Sequence, residues 1–298
     1  MAIYQFNHYV PAQSNFVCFT DKGNSTHTVT LLVHSNADGA MPLYAAAYNG
    51  LTETVKVLLS DSNTDVNASR NDDGATPLYA AAYHGHAEIV KLLLDHNADA
   101  NASRTNDGAT PLFAAAYSGQ GKVVKLLLDY RADVNARTRT GATSLFASAQ
   151  QGHKELVTML MDNNADVNSS RHTGATPLYI AAYSGHTEAV KLLLDNNADV
   201  NASCTDDGTT PLYASAYEGH AEVVKYLLDN NADVKACTHI GDTPLHIAAQ
   251  KGYTEVVKLL LDYNANVNAC RHTGATPFDI AAQKRHSKVV ELLGQNKS

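Results

Sequence analysis

The sequence predicts an all-α solenoid, a stack of short antiparallel helix pairs, on three observations. Glycines recur at intervals of 33 to 35 residues, each is followed after one residue by a triplet like Thr-Pro-Leu, and each triplet opens two apolar-patterned segments separated by a turn. A period of this length indicates supersecondary units that stack, and not two globular domains. The glycines are Gly39, Gly74, Gly108, Gly141, Gly174, Gly208, Gly241 and Gly274.

The first segment of each unit is a short capped helix. In the unit that begins at Gly74, Thr76 suits the N-cap, and Pro77 suits the first turn, where a missing N–H is harmless. Leu78 and Ala81 lie on one face, and their equivalents in the next unit can approach closely because alanine is small. Gly85 ends the helix.

The second segment, Glu88–Leu94, places Ile89, Val90 and Leu93 on one apolar side of a helix. Asn97 follows where a left-handed residue closes a helix, a conformation that asparagine tolerates. The same choice recurs at Asn164, Asn197, Asn231 and Asn264, with Arg131 as the exception. A hairpin-like finger then leads to the next unit, and stacking buries the apolar faces that one unit cannot bury alone.

Turn, helix, turn, helix and finger, with Thr-Pro-Leu in each period, resembles the ankyrin-repeat family. The resemblance implies an ankyrin-repeat solenoid with fingers at roughly a right angle to the helices. Its concave side is formed by the first helices and the fingers, along a groove on the order of 70–80 Å if neighbouring helices are roughly 10 Å apart. The near-identical copies also resemble ankyrin effectors of intracellular bacteria, which would act in the host cytosol.

Three segments follow from this pattern. Residues 1–38 form an N-terminal segment with a degenerate capping half-repeat, residues 39–273 form seven ankyrin repeats, and residues 274–298 form a C-terminal capping repeat. Thr26–His34 is interpreted as the outer helix of the first cap, although its partly alternating pattern would also suit a strand. The last repeat is more polar than the others, as the end of a solenoid requires.

Composition excludes several classes of protein. The net charge is −8 and there is no Lys/Arg run, which argues against a nucleic-acid partner. No apolar run is long enough for a membrane span, and the start lacks the pattern of a secretory signal. The four cysteines are too scattered for a disulfide scaffold. We therefore expect a monomer in the cytoplasm.

The candidate binding residues lie late in each first helix. The resemblance implies that this position is variable and exposed on the concave side, so that stacked repeats would align a ladder of tyrosines. Tyrosine is enriched at binding hot spots, which favours recognition of a protein or an extended peptide. Duplication of repeats could also copy tyrosine without any role in binding. The ladder positions hold Tyr48, Tyr83, Tyr117, Gln150, Tyr183, Tyr217 and Gln250.

Two further features bear on this surface. The position of Tyr79, four residues before Tyr83, is usually histidine in the family; Phe113 cannot make the hydrogen bonds of histidine, so we expect these rings to act by packing. Arginines near the finger tips stand beside aspartates and would suit a peptide with acidic groups, unless they are only solvated tips. The candidate arginines are Arg104, Arg139 and Arg171.

Nothing in the sequence singles out catalysis or a cofactor. It has no Gly-rich phosphate loop and no His-Glu-x-x-His motif. Cys237, His239, Cys270 and His272 form a set of zinc-compatible residue types, but stacked fingers should hold them about 10 Å apart, too far for shared coordination. We expect no metal site.

The sequence therefore predicts a non-catalytic scaffold that recognises a protein or peptide. The rival class is the targeting or substrate-recruiting part of an enzyme assembly, since residues 1–38 are too few for a catalytic domain of their own. The resemblance also implies a third role, as substrate of an asparaginyl hydroxylase. The matching asparagines are Asn135, Asn168, Asn201 and Asn268.

Overall fold

A computed structural model of the protein describes residues 42–296. This part of the chain contains sixteen α-helices and no β-strand, as the sequence predicted. The helices are α1 Pro42–Tyr48, α2 Thr52–Leu59, α3 Pro77–His84, α4 Ala87–Asp95, α5 Pro111–Tyr117, α6 Gly121–Asp129, α7 Ser144–Gln151, α8 Lys154–Asp162, α9 Pro177–Ser184, α10 Thr187–Asp195, α11 Pro211–Glu218, α12 Ala221–Asp229, α13 Pro244–Lys251, α14 Thr254–Asp262, α15 Pro277–Gln283 and α16 Ser287–Gln295.

The ends of the helices are set by the residues that the sequence pattern singled out. The side chain of Thr76 accepts a hydrogen bond from the Tyr79 N–H at 3.1 Å, which satisfies a free donor at the start of α3. Gly85 ends that helix with φ at 77°. Asn97 follows α4 with φ at 63°, and Arg131 adopts the same left-handed conformation after α6.

Stacking supplies the core. The buried residues are mostly Leu, Val and Ala, and Leu112, Ala115 and Leu193 are wholly inaccessible to solvent. First helices of neighbouring repeats contact one another more extensively than second helices do, because their facing residues are small.

In five repeats, a turn histidine joins the repeat to the one before it. The Nε2 atom of His86 lies 3.2 Å from the backbone oxygen of Tyr48, and the Nε2 atom of His220 lies 3.1 Å from that of Tyr183. His153, His186 and His286 make the equivalent contact with Tyr117, Gln150 and Gln250. These histidines are structural, and each one fixes the backbone of a ladder position.

A line of asparagine side chains also links the repeats, along the turns that follow the second helices. The Oδ1 atom of Asn101 accepts from the Asp133 N–H at 2.7 Å, and four other asparagines make the same bond one repeat apart. These are Asn67 to Asp99, Asn135 to Asp166, Asn168 to Asp199 and Asn201 to Asp233, each at 2.8 Å. Lys235 stands at the next position, and the line stops there.

The predicted N-terminal segment, residues 1–38 with Thr26–His34 as an outer helix, lies outside the described residues. At the other end of the described residues, Lys284, Arg285 and Lys288 are exposed. The boundaries of the three segments stay predictions.

Candidate binding face

The predicted ladder residues lie on the face of the first helices. Tyr48, Tyr83, Tyr117 and Tyr183 are half-buried, and Tyr217 keeps 36% of its surface exposed. The first four pack against the edge of the core and present the rest of their rings to solvent. Each ladder tyrosine is thus held in place by its own repeat and remains accessible to a partner.

Neighbouring rings of the ladder approach each other closely. The ring centroids of Tyr183 and Tyr217 are 6.5 Å apart with planes inclined by 22°, which is a stacked arrangement. Tyr48 meets the ring of His84 edge-on at 4.3 Å. The Nζ atom of Lys251 lies 4.1 Å from the centroid of the Tyr217 ring, so this ring already receives one cation.

The two glutamines of the ladder differ from the tyrosines. Gln150 is half-buried and breaks the row between Tyr117 and Tyr183. The Oε1 atom of Gln250 accepts from an Nη2 donor of Arg271 at 2.9 Å. The aromatic ladder therefore consists of two runs, one of three tyrosines and one of two.

The earlier aromatic of the first helix is buried in the four repeats of α1, α3, α5 and α7, and a finger arginine covers it in three of them. Tyr79 is only 5% exposed, and the guanidinium carbon of Arg104 lies 5.0 Å from its ring centroid. An Nη1 donor of Arg104 reaches the Tyr79 hydroxyl at 3.0 Å, and another guanidinium nitrogen lies 3.2 Å from a carboxylate oxygen of Asp73. Arg70 covers Tyr44 at 5.3 Å in the same way.

Two of the candidate arginines contact aromatic rings of their own repeats. Arg104 contacts Tyr79 and Asp73, and the guanidinium carbon of Arg171 lies 5.4 Å from the centroid of the Phe146 ring. The sequence places these residues near the tips, but the guanidinium folds back onto the preceding first helix. Arg139 is the one of the three candidates whose side chain is exposed.

In two consecutive fingers, Cys204 and Thr238 stand at the position that Arg104 occupies in its own finger. The backbone N–H of Arg104 closes its finger on the Ala109 oxygen, and the equivalent bonds are made by Cys204 to Thr209 and by Thr238 to Asp242. Next to these fingers lies a groove of about 500 Å³. Its lining includes Tyr179, Tyr183, Tyr213 and Tyr217, with Asp206, Asp207, His239 and Ile240 at the finger side.

Three tyrosines of this groove, Tyr179, Tyr183 and Tyr213, stay neutral over a wide pH range. Burial raises the pKa of Tyr213 to about 12, and the nearby carboxylates of Asp242 and Asp207 act in the same direction. Burial and the Glu218 carboxylate raise the pKa of Tyr183 to about 12. Burial also raises the pKa of Tyr179, whose hydroxyl lies 3.2 Å from the Thr209 hydroxyl. The groove is thus a neutral aromatic floor beside a carboxylate wall.

The described residues show no cluster of three or more His, Cys, Asp or Glu side chains that could hold a metal ion. Cys237 and Cys270 are both free thiols on the surface of adjacent fingers. The part of the chain that the structure describes also has no helix long and apolar enough to cross a bilayer.

The sequence model of ankyrin repeats, taken three copies at a time, matches residues 16–104, 43–138, 98–171, 145–238 and 235–298. Together these matches run from residue 16 to the end of the chain. The chain therefore belongs to the ankyrin-repeat family, whose members are generally modules for protein–protein interaction and are typically non-catalytic. No curated protein matches the chain at a significant level.

Proposed function

We propose that this protein is a non-catalytic recognition scaffold that binds another protein, or an extended peptide segment of one, along its concave face. The observation that supports this most is the ladder of half-buried tyrosines along the first helices. Tyrosine offers a large contact area and loses little rotamer freedom when it binds. Exposed aromatic rows of this kind usually mark an interaction site.

The partner is expected to be a protein in the cytosol, bound by one copy of the chain. The net charge of −8 disfavours a nucleic acid, which is itself a polyanion. A substrate-recruiting role in an enzyme assembly would use the same face. The identity of the partner would distinguish that role from recognition alone. Affinity purification followed by mass spectrometry supplies that identity.

The ladder is tested by changing Tyr83 and Tyr117 together to alanine. We expect the free energy of partner binding to weaken by more than about 2 kcal/mol, the usual threshold for hot-spot residues, as measured by titration calorimetry. The fold should survive, because neither side chain is fully buried. Tyr130→Ala is the matched control, since Tyr130 is exposed after a second helix, away from the ladder. Unchanged affinity in the double variant would place the partner elsewhere.

We also propose that Asn268 is the asparagine most open to hydroxylation. Asn135, Asn168 and Asn201 use their side chains to bind the next repeat, whereas the Asn268 side chain makes no hydrogen bond to another described residue. Incubation with an asparaginyl hydroxylase should add one oxygen atom to Asn268 before the other three, as followed by peptide mass spectrometry. Modification of Asn135 first would contradict this order.

A further inference from the structure

The finger position that holds arginine in several repeats holds Cys204 and Thr238 in two consecutive ones. Arg70, Arg104 and Arg171 cover the deeper aromatic of their repeats, whereas Arg271 pairs with Asp242. Where arginine is absent, the corresponding rings, Tyr179 and Tyr213, are half-buried instead of buried. Thr138 also replaces arginine, but its aromatic is Phe113, which is buried and has no hydroxyl group.

The finger of Cys204 leaves its two carboxylates, Asp206 and Asp207, without a cation among the described residues. In the part of the chain that the structure describes, no Lys, Arg or His nitrogen lies within 4.0 Å of Asp206 or Asp207, whereas Asp73 lies 3.2 Å from Arg104. The orientation of Asp207 is fixed, because its Oδ1 accepts from the Thr209 N–H at 2.9 Å and from the Thr209 hydroxyl at 2.6 Å. Asp207 also lies close enough to both Tyr179 and Tyr213 for its charge to act on them.

We propose that this groove binds an arginine side chain of the partner, which takes the place that Arg104 takes in its own repeat. The proposal rests on the proposed function and specifies the chemistry of the partner segment. Asp207 lies in the finger that precedes the finger of Thr238. In the same way, Asp73 lies in the finger that precedes the finger of Arg104. The guanidinium would therefore stack on the Tyr213 ring and pair with Asp207.

The chemistry of the groove favours a cation over the acidic peptide suggested by the finger arginines. Tyrosine faces carry negative potential, and the ammonium of Lys251 at 4.1 Å from the Tyr217 centroid shows that a ladder ring accepts a cation here. Arginine suits the site better than lysine, because its flat guanidinium can stack on a ring and donate two hydrogen bonds at once. Ile240, 60% exposed at the rim, can cover the aliphatic stem of the ligand.

Three labelled synthetic peptides test the proposal with the full chain in fluorescence anisotropy. They carry repeated Gly-Ser-Arg, Gly-Ser-Lys or Gly-Ser-Gln units. We expect the arginine peptide to bind at least about tenfold more tightly than the glutamine peptide and about threefold more tightly than the lysine peptide, given the strength of cation–ring and charge-assisted contacts. Equal binding of the arginine and glutamine peptides would overturn the proposal.

Two variants locate the site. Asp207→Asn should weaken the arginine peptide about tenfold by loss of a charged partner. Asp195→Asn removes the same charge at the end of a second helix and should leave the affinity within about twofold. Equal weakening by both variants would show that only the overall negative charge attracts the peptide, which overturns the site.

Thr238→Arg fills the groove from within and should abolish the preference for the arginine peptide, with Thr238→Ser as control and circular dichroism to verify folding. If Thr238→Arg does not fold, Asp207→Asn decides the question. For an identified partner, loss of binding in the Tyr83/Tyr117 variant with full binding in Asp207→Asn keeps the proposed function and overturns the arginine site. Full binding in the tyrosine variant with loss in Asp207→Asn keeps the site and overturns the ladder.

Discussion

His246 and Tyr79 occupy the same position of a first helix but join it to the next finger differently. The Nδ1 atom of His246 lies 3.2 Å from the Thr243 backbone nitrogen, and its Nε2 lies 3.3 Å from the Ala275 oxygen. Tyr79 has no ring nitrogen for these contacts, and Arg104 supplies the link instead. In the repeat of His246, the finger arginine, Arg271, pairs with Asp242.

The buried imidazole makes stability depend on pH. Burial lowers the pKa of His246, with the Arg271 charge acting in the same direction and Asp242 opposing it. The unfolded chain takes up this proton near the ordinary value of about 6.5. Stability from the neutral form is therefore complete above about pH 6.5 and is lost as the pH falls towards the lower folded pKa.

We expect His246→Asn to lose less stability than the wild type when the pH is lowered from about 7.5 to about 5.5, because it lacks the buried group that titrates in that range. Urea unfolding at the two values measures the difference. His172→Asn, at an exposed finger histidine, serves as the control. Parallel losses in the wild type and His246→Asn would show that other groups carry the dependence.

Arg131 is a second residue at which one repeat departs from the rest. Its φ is 62°, a left-handed conformation that costs roughly 1 kcal/mol for most side chains and less for asparagine. Arg131→Asn should therefore raise the free energy of unfolding by about 0.5–1 kcal/mol in urea titration. The reverse change at an equivalent turn, Asn197→Arg, should lower it by a similar amount. A destabilised Arg131→Asn would indicate that the arginine side chain makes a contact worth more than the strain.

The helices could be predicted from sequence, because capping residues next to each helix determine where it begins and ends. The predicted first helix, from Pro77 to the turn at Gly85, and the predicted second helix at Glu88–Leu94 are confirmed by α3 and α4. A threonine before proline marks the start of a helix, and a glycine after the last apolar residue marks its end. Both signals involve only neighbouring residues, so they can be recognised in the sequence alone. The match of the ankyrin-repeat model agrees with that prediction.

Burial of the second helices gives a direct test of the predicted apolar side. Leu193 in α10 is wholly buried, and Leu193→Ala should cost about 2–5 kcal/mol of unfolding free energy. Asn196 is exposed beyond the end of the same helix, and Asn196→Ala should cost much less. Midpoints in chemical denaturation compare the two variants. Equal midpoints would mean that α10 presents another side to the core.

The arginine-bearing fingers show where prediction from sequence stopped. A count of residues places Arg104 near a finger tip, but its contact with Tyr79 joins residues 25 apart and depends on the angle between finger and helix. The groove by Cys204 and Thr238 was missed for the same reason. In the sequence, the groove is marked only by Cys204 and Thr238 at the finger position that holds arginine in other repeats. That substitution indicates a groove only once the structure shows that the arginine covers a ring.

At the scale of the whole molecule, stability is shared between neighbours along one axis. Each helix pair contacts the pair before and the pair after it, and the last pair, α15 and α16, contacts only one other described pair. In such an array the ends open without the middle. We therefore expect unfolding to begin at an end of the array and to proceed towards the middle.

Leu293 in α16 is buried like Leu193, and its truncation tests this directionality. In hydrogen exchange, Leu293→Ala should speed exchange of amides in Pro277–Gln295 and leave α9 to α12 protected, because the loss stays near the end. Leu193→Ala should speed exchange on both sides of α10. Uniform acceleration throughout the chain in Leu293→Ala would instead indicate one cooperative unit.

The asparagine line that stops at Lys235 gives the solenoid a mechanical weak point. Each bond from an asparagine to the next turn resists separation of two neighbouring turns, and between the turns after α12 and α14 the described residues provide no such bond. Under a pulling force applied to the two ends, the molecule should extend as an elastic coil and first yield at that junction. In an optical trap, Lys235→Asn should raise the force of the first rupture event.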